Sequence, residues 1–136
     1  MPVKYFIDTN VLIYRYSSQD DRKRAIAARL LTSGQCVASV QSLNEFSNVI
    51  RRKFPAQFPG LAATLEDIRA SLPIESLRVE DTLAAVDISQ RHGFQYFDSL
   101  MLACGVRLGC QVVLSEDMQH GFVLDNRLTI INPFIL

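Results

Sequence analysis

The sequence predicts an α/β fold: one domain, with a central, mostly parallel sheet of about five short strands flanked by helices on both faces. Three observations carry that expectation. Short apolar runs at residues 3–7, 36–40, 74–79, 112–114 and 128–131 are each bounded by polar residues, as buried strands are. Between them lie segments whose apolar residues recur every three or four positions, so strand and helix alternate, the pattern of parallel sheets. And 136 residues, 49% hydrophobic and 21% charged, form a single domain, 1–136, of ordinary globular composition with a real core.

Taken in order, the run 3–7 ends on Asp8, and Thr9–Tyr16 reads as a short helix. Residues 21–31 carry Ala25, Ile26, Ala28, Leu30 and Leu31 among Arg22, Lys23, Arg24 and Arg29, an amphipathic helix closed by Gly34. A second strand at 36–40 precedes a helix at 42–54, in which Leu43, Phe46, Val49 and Ile50 share a face. Pro55 and Pro59 break the helical pattern within FPAQFPG. Another amphipathic helix spans 61–72, a third strand 74–79, and a helix 80–91 stopped by Gly93. The strongly apolar helix 95–108 leads to the buried strand 112–114, and 128–131 is a last strand before Pro133. No linker, low-complexity tract or internal repeat interrupts the chain.

No apolar stretch approaches the roughly 18 residues of a membrane span. Asp8 interrupts the N-terminal run before a signal-peptide core forms, so a cytoplasmic protein with no membrane partner is expected. Cys36, Cys104 and Cys110 lack metal-binding spacing and lie in apolar surroundings, which predicts buried reduced thiols. Net charge is zero, from 14 basic and 14 acidic residues, and it excludes little. Eleven of the basic residues are arginine, the side chain best suited to bidentate phosphate contact. Acids gathered around a metal would also leave the remaining surface net positive.

Four acids stand where ligands bind such sheets, beyond the carboxyl ends of the strands or beside them. Asp8 follows the first strand directly, and Ser115, Glu116 and Asp117 follow the strand 112–114. Each acid also has a structural reading. Asp8 serves as a helix N-cap, Glu45 completes a capping box with Ser42, Asp98 complements a helix dipole, and Ser115-Glu-Asp117 makes a turn. Asp98 fits its structural reading least, because a carboxylate on so apolar a helix costs several kcal/mol unless paired or metal-bound. Together, clustered carboxylates repel one another unless a cation neutralises them. An all-oxygen site without a His or Cys cluster suits Mg²⁺ or Mn²⁺, and such ions act most often on phosphates.

FIDTNVLIY, SLNEF, YFDSLMLA and VVLSEDMQHG, in this order, resemble the motifs of PIN-domain ribonucleases, most nearly the VapC-like toxins of bacterial toxin–antitoxin pairs. The resemblance runs from Val3 to about Pro133. It implies that Asp8, Glu45, Asp98 and Asp117 are the catalytic, metal-holding acids, supported by Thr9 or Asn10, Ser115 and Glu116. It further implies one or two Mg²⁺ or Mn²⁺ ions, cleavage of single-stranded RNA to a 3′-hydroxyl and a 5′-phosphate, a homodimer, and a small antitoxin whose C-terminal segment enters the acidic pocket. His120 stands where many relatives carry a further acid, which puts a second metal in question.

Arg22, Lys23 and Arg24, and Arg51, Arg52 and Lys53, are candidate RNA phosphate contacts, with Arg15 nearer the pocket. Their structural readings are a solvated helix face for the first group and a dipole-complementing helix end for the second. Rival functions are a haloacid-dehalogenase-like phosphatase, a PIN-fold RNA-processing nuclease without an antitoxin, and a silent RNA- or protein-binding module. The phosphatase wants a second Asp where Asn10 stands and a lysine beyond Lys53, the last one here. No GxSxG elbow, GxxxxGK loop or GxGxxG fingerprint occurs.

Overall fold

In a computed structural model, which describes residues 2–135 and leaves only Met1 and Leu136 of the expected domain outside, β1 (Tyr5–Ile7) leads into α1 (Thr9–Tyr16) and α2 (Asp21–Leu31). Then β2 (Cys36–Ser39) runs into α3 (Val40–Lys53), and a 3-10 turn (Pro55–Gly60) and α4 (Leu61–Ser71) precede β3 (Ile74–Glu75). Next, α5 (Val79–His92) packs against α6 (Tyr96–Arg107), and β4 (Val112–Leu114), β5 (Val123–Leu124) and β6 (Leu128–Ile131) complete the order.

The sheet order is β3-β2-β1-β4-β6-β5, parallel throughout except for the antiparallel β5–β6 pair. Alternation along β1 explains the two cores. Ile7 faces a cluster with Val11, Leu12, Phe46, Ile50 and Ile68, while Phe6 faces one with Leu102, Cys104, Val113, Leu128 and Ile130. Helices α1 to α4 therefore cover one face, and α5 and α6 the other. All three cysteines are buried and free. No helix among the described residues is long and apolar enough to cross a membrane.

Three expectations need correction. The strand expected at 74–79 is only Ile74–Glu75, because Asp81 accepts a hydrogen bond from the Arg78 N–H (2.9 Å) and starts α5 at Val79, which is 72% exposed. The sheet has six strands, not about five: the two-residue β5 was too short to read, although Asp125 and Asn126, at φ of 50° and 56°, form the left-handed turn typical of a tight hairpin. At the N-terminus, Val3 is 38% exposed and lies outside β1.

Gly105 lies mid-way along α6 against the sheet, where a Cβ would meet Leu128, Phe6 and Val113 side chains at 3.5–3.6 Å, ordinary van der Waals contact. Gly105→Ala is therefore expected to raise the melting temperature rather than lower it, by up to about 1 kcal/mol of helix propensity. A drop in a thermal melt would show that the contact is tighter than its geometry indicates.

Candidate active site

Register places the first two site residues side by side. Ile7 pairs with Leu114 across the parallel β1–β4 ladder, so Asp8 and Ser115 emerge together at its carboxyl end. There the Asp8 N–H donates to the Leu114 carbonyl (2.9 Å), and Ser115 Oγ donates to Asp8 Oδ2 (2.7 Å). This edge is also where the winding reverses, since the chain moves from β1 to β2 on one side and finds β4 on the other. Ligands of open α/β sheets bind at such a point.

From there the network spreads. Asp8 Oδ1 accepts from the Thr9 N–H (2.6 Å), so Asp8 does cap α1 while its second oxygen faces the site. Asn10 Nδ2 bridges Asp8 Oδ2 (3.3 Å) and Asp117 Oδ2 (3.2 Å), and the Asp117 N–H donates to Ser115 Oγ (3.3 Å). The Thr9 hydroxyl donates to Glu45 Oε2 (2.9 Å), whose other oxygen accepts from Gln41 (3.1 Å). Glu45 forms no capping box: Ser39, not Ser42, caps α3, accepting from the Ser42 N–H (3.2 Å). The helix begins two residues earlier than its periodicity indicated, which frees Glu45 to face the sheet edge.

Asp98 arrives from the opposite layer, in the first turn of α6, and its carboxylate makes no hydrogen bond among the described residues. The four acids grade from floor to rim: Asp8 is buried, Glu45 and Asp98 are half-buried, and Asp117 is exposed. They line an open cleft of about 780 Å³. A smaller recess of about 40 Å³ lies behind, walled by Asp8, Thr9, Ser42, Glu45, Asp98 and Met101.

A protein-family model of the PIN domain matches residues 5–121. The chain belongs to the PIN-domain family. No curated protein matches it. Among solved structures, VapC20 of Mycobacterium tuberculosis, described as a sarcin-ricin loop cleaving toxin, is similar at TM-score 0.68 and 20% identity, covering 84% of this chain and 90% of its own. A toxin–antitoxin complex from Klebsiella pneumoniae matches at TM-score 0.72 and 15% identity, covering 98% of this chain and 100% of that one. DNA-bound VapBC from Salmonella typhimurium matches at TM-score 0.69 and 16% identity, covering 95% and 97%. At these identities the likeness is one of fold.

Electrostatics sharpen the picture of the PIN site. Burial pushes the Asp8 carboxyl up to about 6 from its ordinary 3.8; the Ser115 and Thr9 hydrogen bonds oppose the rise, and the Asp98 and Glu45 charges add to it. Burial also raises Asp98, followed by the charges of Glu45 and Asp117. The acids therefore feel one another's charge. Among the described residues no group of three or more His, Cys, Asp or Glu side chains stands in an arrangement that could hold a metal ion as it is. The donor set nevertheless fits a hard divalent cation: every candidate ligand is an oxygen, and the recess exceeds the roughly 10–15 Å³ that one water requires.

These shifts have a consequence for stability. An acid whose folded pKa lies above its unfolded value destabilises the fold as it ionises. For Asp8 the penalty is absent below about 3.8, grows as pH rises, and is complete above about 6. Its upper limit is about 3 kcal/mol. Relative to wild type, metal-free Asp8→Asn is expected to gain thermal stability between pH 4 and pH 8, on top of a pH-independent cost from the perturbed α1 cap and Ser115 contact. An equal difference from wild type at both pH values would remove ionisation as the cause.

The remaining expected residues divide. Glu116 lines the cleft but is engaged by Tyr14 (2.5 Å) and Lys23. Burial alone would raise its carboxyl, yet the Lys23 and Tyr14 hydrogen bonds hold it below the usual value. Lys23, placed by sequence among the RNA contacts, is thus an internal tie from α2 to the loop after β4, its Nζ also 4.7 Å from the Tyr14 ring centroid. Arg15 lies over the Tyr16 ring at 5.0 Å and is not among the residues lining the cleft. Arg22, Arg24 and Arg51 are exposed outside it, whereas Arg52 and Lys53 line it. His120 Nδ1 accepts from the Asn132 N–H (2.9 Å), a turn-holding role. Sequence reading missed Gln41 and Tyr14. The former is legible as a helical i,i+4 neighbour of Glu45, while Tyr14 meets Glu116 only through the fold.

Proposed function

We propose that this chain is a divalent-metal-dependent endoribonuclease acting on single-stranded RNA, the toxin of a toxin–antitoxin pair. The observation that carries the reading is the convergence of Asp8, Glu45, Asp98 and Asp117 on one cleft, where burial and the neighbouring carboxylates raise Asp8 and Asp98. Support comes from the family match and from a fold shared with an RNA-cleaving toxin and with chains of toxin–antitoxin complexes.

Asp8, Glu45, Asp98 and Asp117 would hold one or two Mg²⁺ or Mn²⁺ ions. Bound there, such an ion supplies Lewis-acid polarisation of the phosphodiester and charge stabilisation of the leaving oxygen. Ser115, Thr9 and Asn10 orient Asp8, Glu45 and Asp117 through the hydrogen bonds described. Among the described residues Asp98 is the one acid of the four whose oxygens accept no protein hydrogen bond, and in this reading it takes the proton that the attacking water loses. The partners in this reading are an antitoxin, whose C-terminal segment occupies the cleft, and a second copy of the chain, in the cytoplasm.

Incubation of the purified chain with a single-stranded RNA tests the activity. Cleavage with Mg²⁺ or Mn²⁺, abolished by EDTA and leaving 5′-phosphate ends, is the expected result. Cleavage that ignores EDTA, or release of phosphate from monoesters without cutting RNA, would overturn it. A companion protein that co-purifies with the chain and suppresses cleavage separates the toxin from a solitary RNA-processing nuclease.

A further inference from the structure

We propose that the C-terminal end of α3 forms a phosphate subsite, in which Arg52 and Lys53 grip the substrate backbone within three nucleotides of the bond being cut. This rests on the ribonuclease reading above and gives the substrate strand a path along the cleft. Glu45, Asn48, Val49, Arg52 and Lys53 all line that cleft. Their spacing is that of a single helix face, so α3 runs along one wall with an acid near its middle and two cations in its last turn. At 1.5 Å per residue, Arg52 stands about 10 Å along the axis from Glu45. A stacked strand advances about 3.4 Å per nucleotide, so that distance is about three steps, and fewer for an extended strand.

The charge order fits a polyanion that must be held at one point and cut at another. The acid repels a phosphate until a cation is present, while the helix end attracts one directly. Phe54 and Phe94 line the same cleft, and aromatic rings offer faces on which bases of any identity stack. Basic residues in a last helical turn also complement the helix dipole. Arg51 shares that duty in the same turn but does not line the cleft, so it separates the two roles. The other cations near the site are engaged elsewhere, Lys23 with Glu116 and Arg15 over Tyr16.

The test uses RNA oligonucleotides that each carry one uncharged methylphosphonate at a successive position around the cleaved bond. Affinity is read by fluorescence anisotropy on the full-length, catalytically blocked Asp98→Asn chain with Mg²⁺, and cleavage on the wild type. Neutralising a phosphate within three nucleotides on one side should weaken binding several-fold, and Arg52→Ala/Lys53→Ala should erase that position dependence. The slope of log affinity against log salt should shrink by about 0.7 for each phosphate that the double variant leaves without a cation, and by less in Arg51→Ala. Equal sensitivity at every position, persistence of the pattern in the double variant, or an equal effect of Arg51→Ala would overturn the subsite. A glutamate-rich peptide that competes as strongly, and loses the same affinity in the double variant, would reassign the cations to a protein partner. A mapped phosphate position without any wild-type cleavage would support the subsite and sink the nuclease reading; no RNA binding at all would sink both.

Discussion

Asp98→Asn is expected to lower the rate of RNA cleavage by at least about a hundredfold, the upper range for losing even an outer-shell partner of a metal ligand, while leaving the fold intact. Loss of the carboxylate removes a favourable first-turn charge worth about 0.3–1 kcal/mol. It also removes an acid raised by burial and by the charges of Glu45 and Asp117, with no hydrogen bond to lose. The two effects oppose, so the melting temperature of the metal-free chain should hold or rise. Asp8→Asn should be as inactive, but it also perturbs the cap of α1 and the Ser115 contact, which makes Asp98 the cleaner variant. Full activity in Asp98→Asn would leave the acid without a role. Inactivity accompanied by unfolding would return Asp98 to a structural one.

The largest stability effect is expected far from the cleft. Asp81, 2% exposed, accepts from Arg107 Nε (2.7 Å) and Nη2 (3.0 Å), and Arg107 also donates to the Ser76 carbonyl (2.9 Å). This pair joins α5 to α6, the helix that carries Asp98. Arg107→Ala strands a buried carboxylate and should cost about 3–5 kcal/mol, the range for breaking a buried ion pair, against a total of about 5–15 kcal/mol for an ordinary domain. Asp81→Leu/Arg107→Met should recover part of that loss, because an apolar replacement leaves no charge behind, the remainder being the lost α5 cap at the Arg78 N–H and the lost contact to the Ser76 carbonyl. Burial pulls the Asp81 carboxyl upward, but the Arg107 and Arg78 hydrogen bonds hold it below its ordinary 3.8. Its stabilisation is thus complete above that value and lost as pH falls through the lower folded one. Urea unfolding at neutral and acidic pH measures both effects: the gap between wild type and Arg107→Ala should narrow in acid. A gap of under about 1 kcal/mol at neutral pH would mean that water already screens the pair.

Much of this architecture was legible because local pattern and tertiary placement agree. Asp8 ends a short apolar strand, and Ser115 ends another, so the parallel-sheet rule alone brought them to one edge. Glu45 was harder, since its spacing from Ser42 mimics a cap; only the earlier start of α3, capped by Ser39, shows that Glu45 is not a capping residue. Asp98 was legible through cost, as a charge on an apolar helix with nothing nearby in sequence to pair it. The Lys23–Glu116 pair was not legible, because its partners are distant in sequence and close only after α2 packs back on the loop following β4. The short β5 escaped because two residues carry no periodicity.

Binding of Mn²⁺ to the purified chain, followed by electron paramagnetic resonance, tests the central claim most directly. The wild type should deplete the free-ion signal near neutral pH, progressively less so as pH falls below about 6, where protonation of Asp8 competes with the ion. Asp8→Asn and Asp98→Asn should each lose that depletion. A wild-type chain that leaves the free Mn²⁺ signal unchanged, or variants that deplete it equally, would contradict the assignment of these acids as a metal site.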